Sequence, residues 1–187
     1  ITTAMEHHAI LNCMKDFEAQ GFEVTYLQPD GLGNISVDDL KAALRKDTIL
    51  VSIMMVNNEV GSVQPIAQMA RLTHRLCPDA LFHTDAVQGF LKIPFQAKTL
   101  GADLISVSSH KIHGPKGAGA LYISPKLKSF PALILGGGQE GGYRSGTEAT
   151  PAIFGFAAAA EAGRQTFRQD IQREAELLHS LCEKLSA

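Results

Sequence analysis

The chain has only three cysteines, Cys13, Cys77 and Cys182, and no Cys-x-x-Cys pair, so the usual spacings of zinc and dithiol redox sites are missing. An odd number of thiols, with no signal peptide, points to a reducing cytosol and to free, structural cysteines. There is no basic excess. Seventeen Lys and Arg stand against 19 Asp and Glu, a formal charge of −2, and this lacks the electrostatic footprint of a nucleic-acid binder. No apolar run is long enough to span a membrane. Repeats and low-complexity tracts are absent, and Ala157 to Ala160 is simply strong helix-forming sequence. What remains, 187 residues with 45% hydrophobic composition, is enough to bury one core.

Apolar periodicity then orders the chain. It predicts a helix over about 7–20, a strand over 22–27, a helix over 37–45, a strand over 48–56 and a helix over 65–76. Strands follow over 81–85, 103–107 and 118–123, with a long helix from about 150. Thr48 to Val56 is a near-continuous apolar run, as expected of a strand buried on both faces. The alternation argues for an α/β fold: a mostly parallel sheet with helices on both faces. Between the last strand and the long helix lies a glycine-rich loop, residues 136–146, expected to be mobile or ordered by a ligand or partner.

The most informative segment is SSHKIHGPKG, Ser108 to Gly117, which follows an apolar strand directly. Open α/β sheets bind ligands at such strand ends. Ser108, Ser109 and His110 can donate to an anion, and Gly114-Pro115-Lys116-Gly117 halts regular structure and lets backbone approach a ligand. An amine is nucleophilic only when unprotonated, so a reactive Lys111 would need partial burial or a cationic neighbour such as His110 or Lys116. This setting suits a lysine that forms a Schiff base with pyridoxal 5'-phosphate. The plain alternative is a solvated lysine in a surface turn.

Other strand ends converge there. Asp85 closes a short apolar strand, where it could hold a cofactor's pyridine nitrogen protonated, or could merely cap a helix. Gln88 follows three residues later, within reach of a phenolic oxygen. Asn58 lies just past the run over 48–56. His7 opens the first helix, where it could cover a flat ring or stand exposed to water. No Gly-Lys followed by Ser or Thr opens a helix, so the glycine-rich segments are not a P-loop and a nucleotide site is disfavoured.

Five ordered motifs, EHHAIL (6–11), VNNEVG (56–61), HTDAVQ (83–88), SSHKIHGPKGAGALY (108–122) and GGGQEGGYRSGTE (136–148), resemble the cysteine desulfurases. These are class V aminotransferase-like enzymes that depend on pyridoxal phosphate. The resemblance implies the large domain of a fold-type I transferase, aspartate aminotransferase-like and incomplete at both ends. Residues 1–150 would be part of that cofactor-binding domain, and 151–187 a helix leading toward a small domain.

By the same resemblance, Lys111 matches the Schiff-base lysine and His7 the histidine stacked on the cofactor ring. Asp85 matches the partner of the pyridinium nitrogen, while Asn58 and Gln88 match contacts to the phenolic oxygen. Ser108 and His110 match phosphate ligands. Thr147 matches a threonine reaching the phosphate held by a partner subunit, which implies a homodimer, and Arg144 would order that loop or the dimer contact.

L-cysteine would be the substrate, its sulfur passing to an enzyme cysteine as a persulfide with release of L-alanine, for a scaffold or other sulfur acceptor in cluster assembly. The chain departs from the family in two respects. No Gly-Ala-Thr-Glu-like phosphate loop precedes Ile1, and none of the three cysteines matches the nucleophile. The expectation is a chain that holds the electron-sink half of the site and lacks the sulfur-accepting half. Selenocysteine lyase and an inactive large-domain remnant are the alternatives.

Overall fold

The computed structural model describes residues 1–127 and 129–186. Two short strands, β1 (Thr2–Thr3) and β2 (Tyr26–Leu27), pair in parallel and flank α1 (His8–Ala19). The main sheet has the order β3 (Leu50–Ser52), β4 (Leu81–Asp85), β5 (Leu104–Ser108), β6 (Gly119–Ile123). β3, β4 and β5 are parallel, whereas β6 runs antiparallel to β5. The Ser52 N–H donates to the Ile1 carbonyl at 2.9 Å, so β1 lies alongside β3 and carries the small sheet with it.

The sheet has two chemically different faces, because side chains alternate along each strand and register partners share a face. Val51 pairs with Phe82 and Thr84 with Ile105, and all four are buried. On the opposite face Ser52 pairs with His83 and Asp85 with Ser106.

The apolar face receives α3 (Ile66–Leu76), whose buried Ile66, Met69, Ala70 and Thr73 follow the i, i+3, i+4, i+7 spacing of one helical stripe. α2 (Val37–Ala43) and α4 (Ala97–Leu100) pack beside α3, contributing Leu40 and Leu100 to the same cluster. Ser36 caps α2 by accepting from the N–H groups of Asp38 and Asp39, both at 3.2 Å. Each fully buried Val, Ile or Phe of this cluster stabilises the fold by roughly 1.5–3 kcal/mol.

The expected strand over 48–56 is regular only at Leu50–Ser52, but its pairing continues. The N–H groups of Ile53 and Met55 donate to the carbonyls of His83 and Asp85 at 3.2 and 2.8 Å, and residues 51–55 are all buried. The strand expected over 22–27 shrinks to Tyr26–Leu27.

α5 (Thr150–Leu185) is 36 residues long and begins with Pro151 in its first turn. Its N-terminal third packs close to the β5–β6 connection. A Cβ on Gly155 would stand 2.8 Å from the Pro115 ring, and Phe90 meets Phe156 edge-on. The rest is exposed over Leu177, Leu178, Leu181 and Leu185. Of the three free cysteines only Cys77 is buried, its thiol donating to the Arg45 carbonyl at 3.0 Å. Cys13 and Cys182 are exposed, so packing explains the first thiol and not the other two.

Candidate active site

Parallel strands deliver their C-terminal ends to one edge, and the segments leaving β1, β3, β4 and β5 carry His7, Asn58, Asp85 with Gln88, and Ser108 to Lys111 respectively. The lysine loop is a single 3-10 turn, Ser109–Ile112, closed by His113 in the left-handed region (φ 66°). Gly114 follows, and any Cβ there would collide with the Ser109 hydroxyl. α5 clamps this turn from outside, because Gly155 and Ala159, one helical turn apart, face Pro115 and Gly114. Lys111 itself is exposed. The partial burial expected of a reactive lysine is therefore not supplied by the described residues, since the short 3-10 turn projects the side chain outward instead of into the sheet.

Ser108 Oγ and His110 Nδ1 lie 2.7 Å apart, so the two expected anion donors are already arranged as a pair. Beneath them the Ser109 hydroxyl is buried and has no hydrogen-bond partner among the described residues.

Asp85 serves both readings given to it. Its Oδ1 accepts from the Val87 N–H at 2.9 Å, a local turn that fixes the carboxylate and leaves Oδ2 for a ligand. Gln88 Oε1 accepts from Lys92 Nζ at 2.8 Å, which commits the amide oxygen and leaves its N–H groups as the donors. Lys92 had no sequence signal beyond its i+4 spacing.

His7 also combines two roles: it is the N-cap of α1, with Nδ1 accepting from the Ala9 N–H at 3.1 Å. That bond puts the ring's proton on Nε2 when the imidazole is neutral, and it fixes the orientation of an exposed ring.

Asn58 is exposed, and its neighbour does the structural work. Asn57 is buried, donates to the Met5 carbonyl at 3.0 Å and accepts from Glu59 and Val60 N–H at 2.9 Å. Thr147 is exposed, just ahead of α5. It follows a loop stitched to itself by Leu133 N–H to the Tyr143 carbonyl (2.7 Å) and Ser145 N–H to the Ile134 carbonyl (3.0 Å), with Arg144 turned back on the Ser145 carbonyl.

Behind the edge stand two groups that sequence reasoning did not assign. His83 bridges Ser52 and Ser106 across three strands, and burial pushes it below the usual histidine range while Asp85 pulls it up. Glu6 is buried beside Thr3 and Met54, and burial raises it to about 7. A cavity of about 400 Å³ lies elsewhere, at the opposite, N-terminal ends of the strands near Ile1, Phe22, Ile49 and Leu50.

The aminotransferase class-V family model matches residues 1–187. The chain belongs to that family. Its relatives within it are cysteine desulfurases, and the family is pyridoxal-phosphate-dependent. The chain is 48% identical over 177 residues to cysteine desulfurase IscS of Dictyoglomus turgidum, covering 95% of this chain and 44% of that protein. With the mitochondrial cysteine desulfurase of Candida albicans it shares 47% identity over 182 residues, 96% of this chain and 36% of that protein. It thus spans well under half the length of these curated relatives.

Among solved structures, a NifS-like protein superposes with a TM-score of 0.95 at 41% identity, covering 99% of this chain and 50% of the other. SspA in complex with cysteine matches with a TM-score of 0.81 at 41% identity, over 92% and 51% of the two chains. The fold of these relatives agrees with the expected α/β, mostly parallel sheet; the antiparallel pairing of β6 is an addition to that expectation. No helix among the described residues is long and apolar enough to cross a membrane.

Proposed function

We propose that this chain is the cofactor-holding part of a cysteine desulfurase. The observation that supports the reading is that a capped imidazole (His7), a fixed carboxylate (Asp85) and a lysine turn (Lys111) all lie at the C-terminal ends of neighbouring parallel strands. The polar set fits pyridoxal phosphate: a bonded Ser108–His110 pair whose remaining N–H or O–H can donate to an anion, an uncommitted Asp85 oxygen for a ring nitrogen, and the amide N–H groups of Gln88 as donors. When bound, pyridoxal phosphate supplies an electron sink for the substrate's α-carbon.

In this reading Lys111 Nζ would be the amine that holds the cofactor, and as a free amine it would serve as the base for the substrate's α-proton. Asp85 keeps the ring nitrogen cationic by charge pairing. His7 would cover the ring, Asn58 and Gln88 would donate to the phenolic oxygen, and Thr147 would contribute to the phosphate site of a partner subunit in a homodimer. In the longer protein the sulfur of L-cysteine would pass to a cysteine thiolate, giving a persulfide and releasing L-alanine, with a scaffold or other acceptor protein taking the sulfur on. The cysteine bound in SspA supports this substrate. Residues 1–150 would form part of the cofactor domain, and 151–187 the helix toward a small domain. Three free thiols support a reducing setting such as the cytoplasm.

Borohydride reduction in the presence of pyridoxal phosphate, followed by peptide mass mapping, tests the assignment. The expected result is a pyridoxyl group on Lys111 that is lost in Lys111→Ala. An adduct on any other lysine, or none, would overturn it.

A further inference from the structure

Glu6 is a buried carboxyl at this edge with no part in the chemistry above. It is only 4% exposed. Its Oε1 accepts from the Thr3 hydroxyl and from the Met54 N–H, both at 2.8 Å. These two bonds tie the turn that carries His7 to the chain leaving β3. Its Oε2 is buried and has no partner among the described residues.

An ionised carboxylate in that buried place would leave Oε2 charged with no donor among the described residues, a cost above what one hydrogen bond returns. A carboxylic acid with its proton on Oε2 avoids that cost and keeps both bonds to Oε1. From β1 and the β3 segment Glu6 meets Thr3 and Met54, and His7 adjoins it in the chain. From β4 it feels the charge of Asp85, behind which stands His83. Burial pushes Glu6 up most, the bonds from the Met54 N–H and the Thr3 hydroxyl pull it partly back, and the charge of Asp85 adds a smaller upward push, to about 7.

We propose that Glu6 is a positioning residue whose protonated form latches the His7 turn to the end of β3, beside Asp85. The placing of His7 and Asp85 against the ring rests on the reading given above, whereas the latch and the proton belong to the chain itself.

The test therefore starts without cofactor. Infrared spectra of the wild-type chain should show the carbonyl stretch of a protonated carboxyl, sensitive to heavy water and fading as pH rises through about 7, and Glu6→Gln should lack it. Nitrogen NMR of the His7 imidazole should report an accepting Nδ1 in wild type and in Glu6→Gln, and an averaged ring in Glu6→Ala. With pyridoxal phosphate added, Glu6→Gln should bind within about threefold of wild type and Glu6→Ala about tenfold or more weaker.

A band that survives in Glu6→Gln, or its absence from wild type, would overturn the neutral acid. An unchanged His7 ring in Glu6→Ala would overturn the latch. If Glu6→Ala does not fold, Glu6→Leu takes its place, and Glu6→Gln decides the protonation. A wild-type chain that binds no cofactor would sink the reading of the site and leave these two cofactor-free signals to decide Glu6.

Discussion

Ser106, the register partner of Asp85 on the neighbouring strand, lies 2.9 Å from Nε2 of His83. The same ring meets Ser52 through Nδ1 at 2.8 Å, so one imidazole links β3, β4 and β5 on the polar face of the sheet.

That bridge predicts how stability responds to acid. Burial holds His83 below its ordinary value, with Asp85 opposing. A depressed histidine binds its proton more readily when unfolded, so its contribution is present above the unfolded value near 6.5 and is lost as pH falls below it. Urea midpoints measured from about pH 7.5 to 5.5 should decline more for wild type than for His83→Gln. Parallel curves would refute a neutral His83.

Glu6 gives the opposite slope. Its folded value of about 7 exceeds its unfolded value of 4.5, so the native state holds the proton more tightly, and stability is greatest below 4.5 and declines up to about 7. The shift corresponds to about 3 kcal/mol across that window. Glu6→Gln should therefore gain on wild type progressively between pH 4.5 and 7, as read by denaturant unfolding. An equal difference at both ends would contradict the assignment.

Close approach of α5 to the lysine turn makes Gly155 intolerant. A Cβ there would stand 2.8 Å from Pro115 Cγ and 3.0 Å from its Cδ. Gly155→Ala should cost about 1–3 kcal/mol by overpacking and should weaken pyridoxal phosphate uptake as the turn shifts. Gly31→Ala, where a Cβ meets nothing within 4 Å, is the control, and its stability should change by no more than about 0.5 kcal/mol.

Lys92 orients Gln88 through a bond worth about 0.5–1.5 kcal/mol. Lys92→Met should leave the fold intact and weaken pyridoxal phosphate binding by up to about tenfold. A titration followed by cofactor absorbance measures this, and an unchanged affinity would show that Gln88 needs no orienting.

The parts of the site that could be read from sequence are those set by strand ends. Asp85 and Lys111 each follow a short apolar run stopped by turn-forming residues, and that local pattern fixes which edge they occupy. The antiparallel β6 was legible in principle: the ten residues between Ser108 and Gly119 hold only a 3-10 turn, too short for a parallel crossover.

Other features depend on tertiary partners. β1 has two residues and no periodicity to detect, and it exists through its pairing with Tyr26 and Leu27, more than 20 positions away in sequence. Which half of Asn57-Asn58 turns inward is decided by the Met5 carbonyl. Glu6 reads as an acid ahead of a helix, a position usually open to water, until Thr3 and Met54 enclose it. The exposure of Lys111 could not be read either, since it depends on the height of a single 3-10 turn above the sheet.

The seat of Gly155 against Pro115 turns α5 into a lever with its fulcrum at the lysine turn. From Gly155 to Leu185 the helix extends about 45 Å. A tilt of about 5° at the fulcrum would sweep the far end through roughly 4 Å over that length. Because Gly155 and Ala159 seat the helix on Pro115 and Gly114, a displacement of the distal leucines would be felt at the lysine turn.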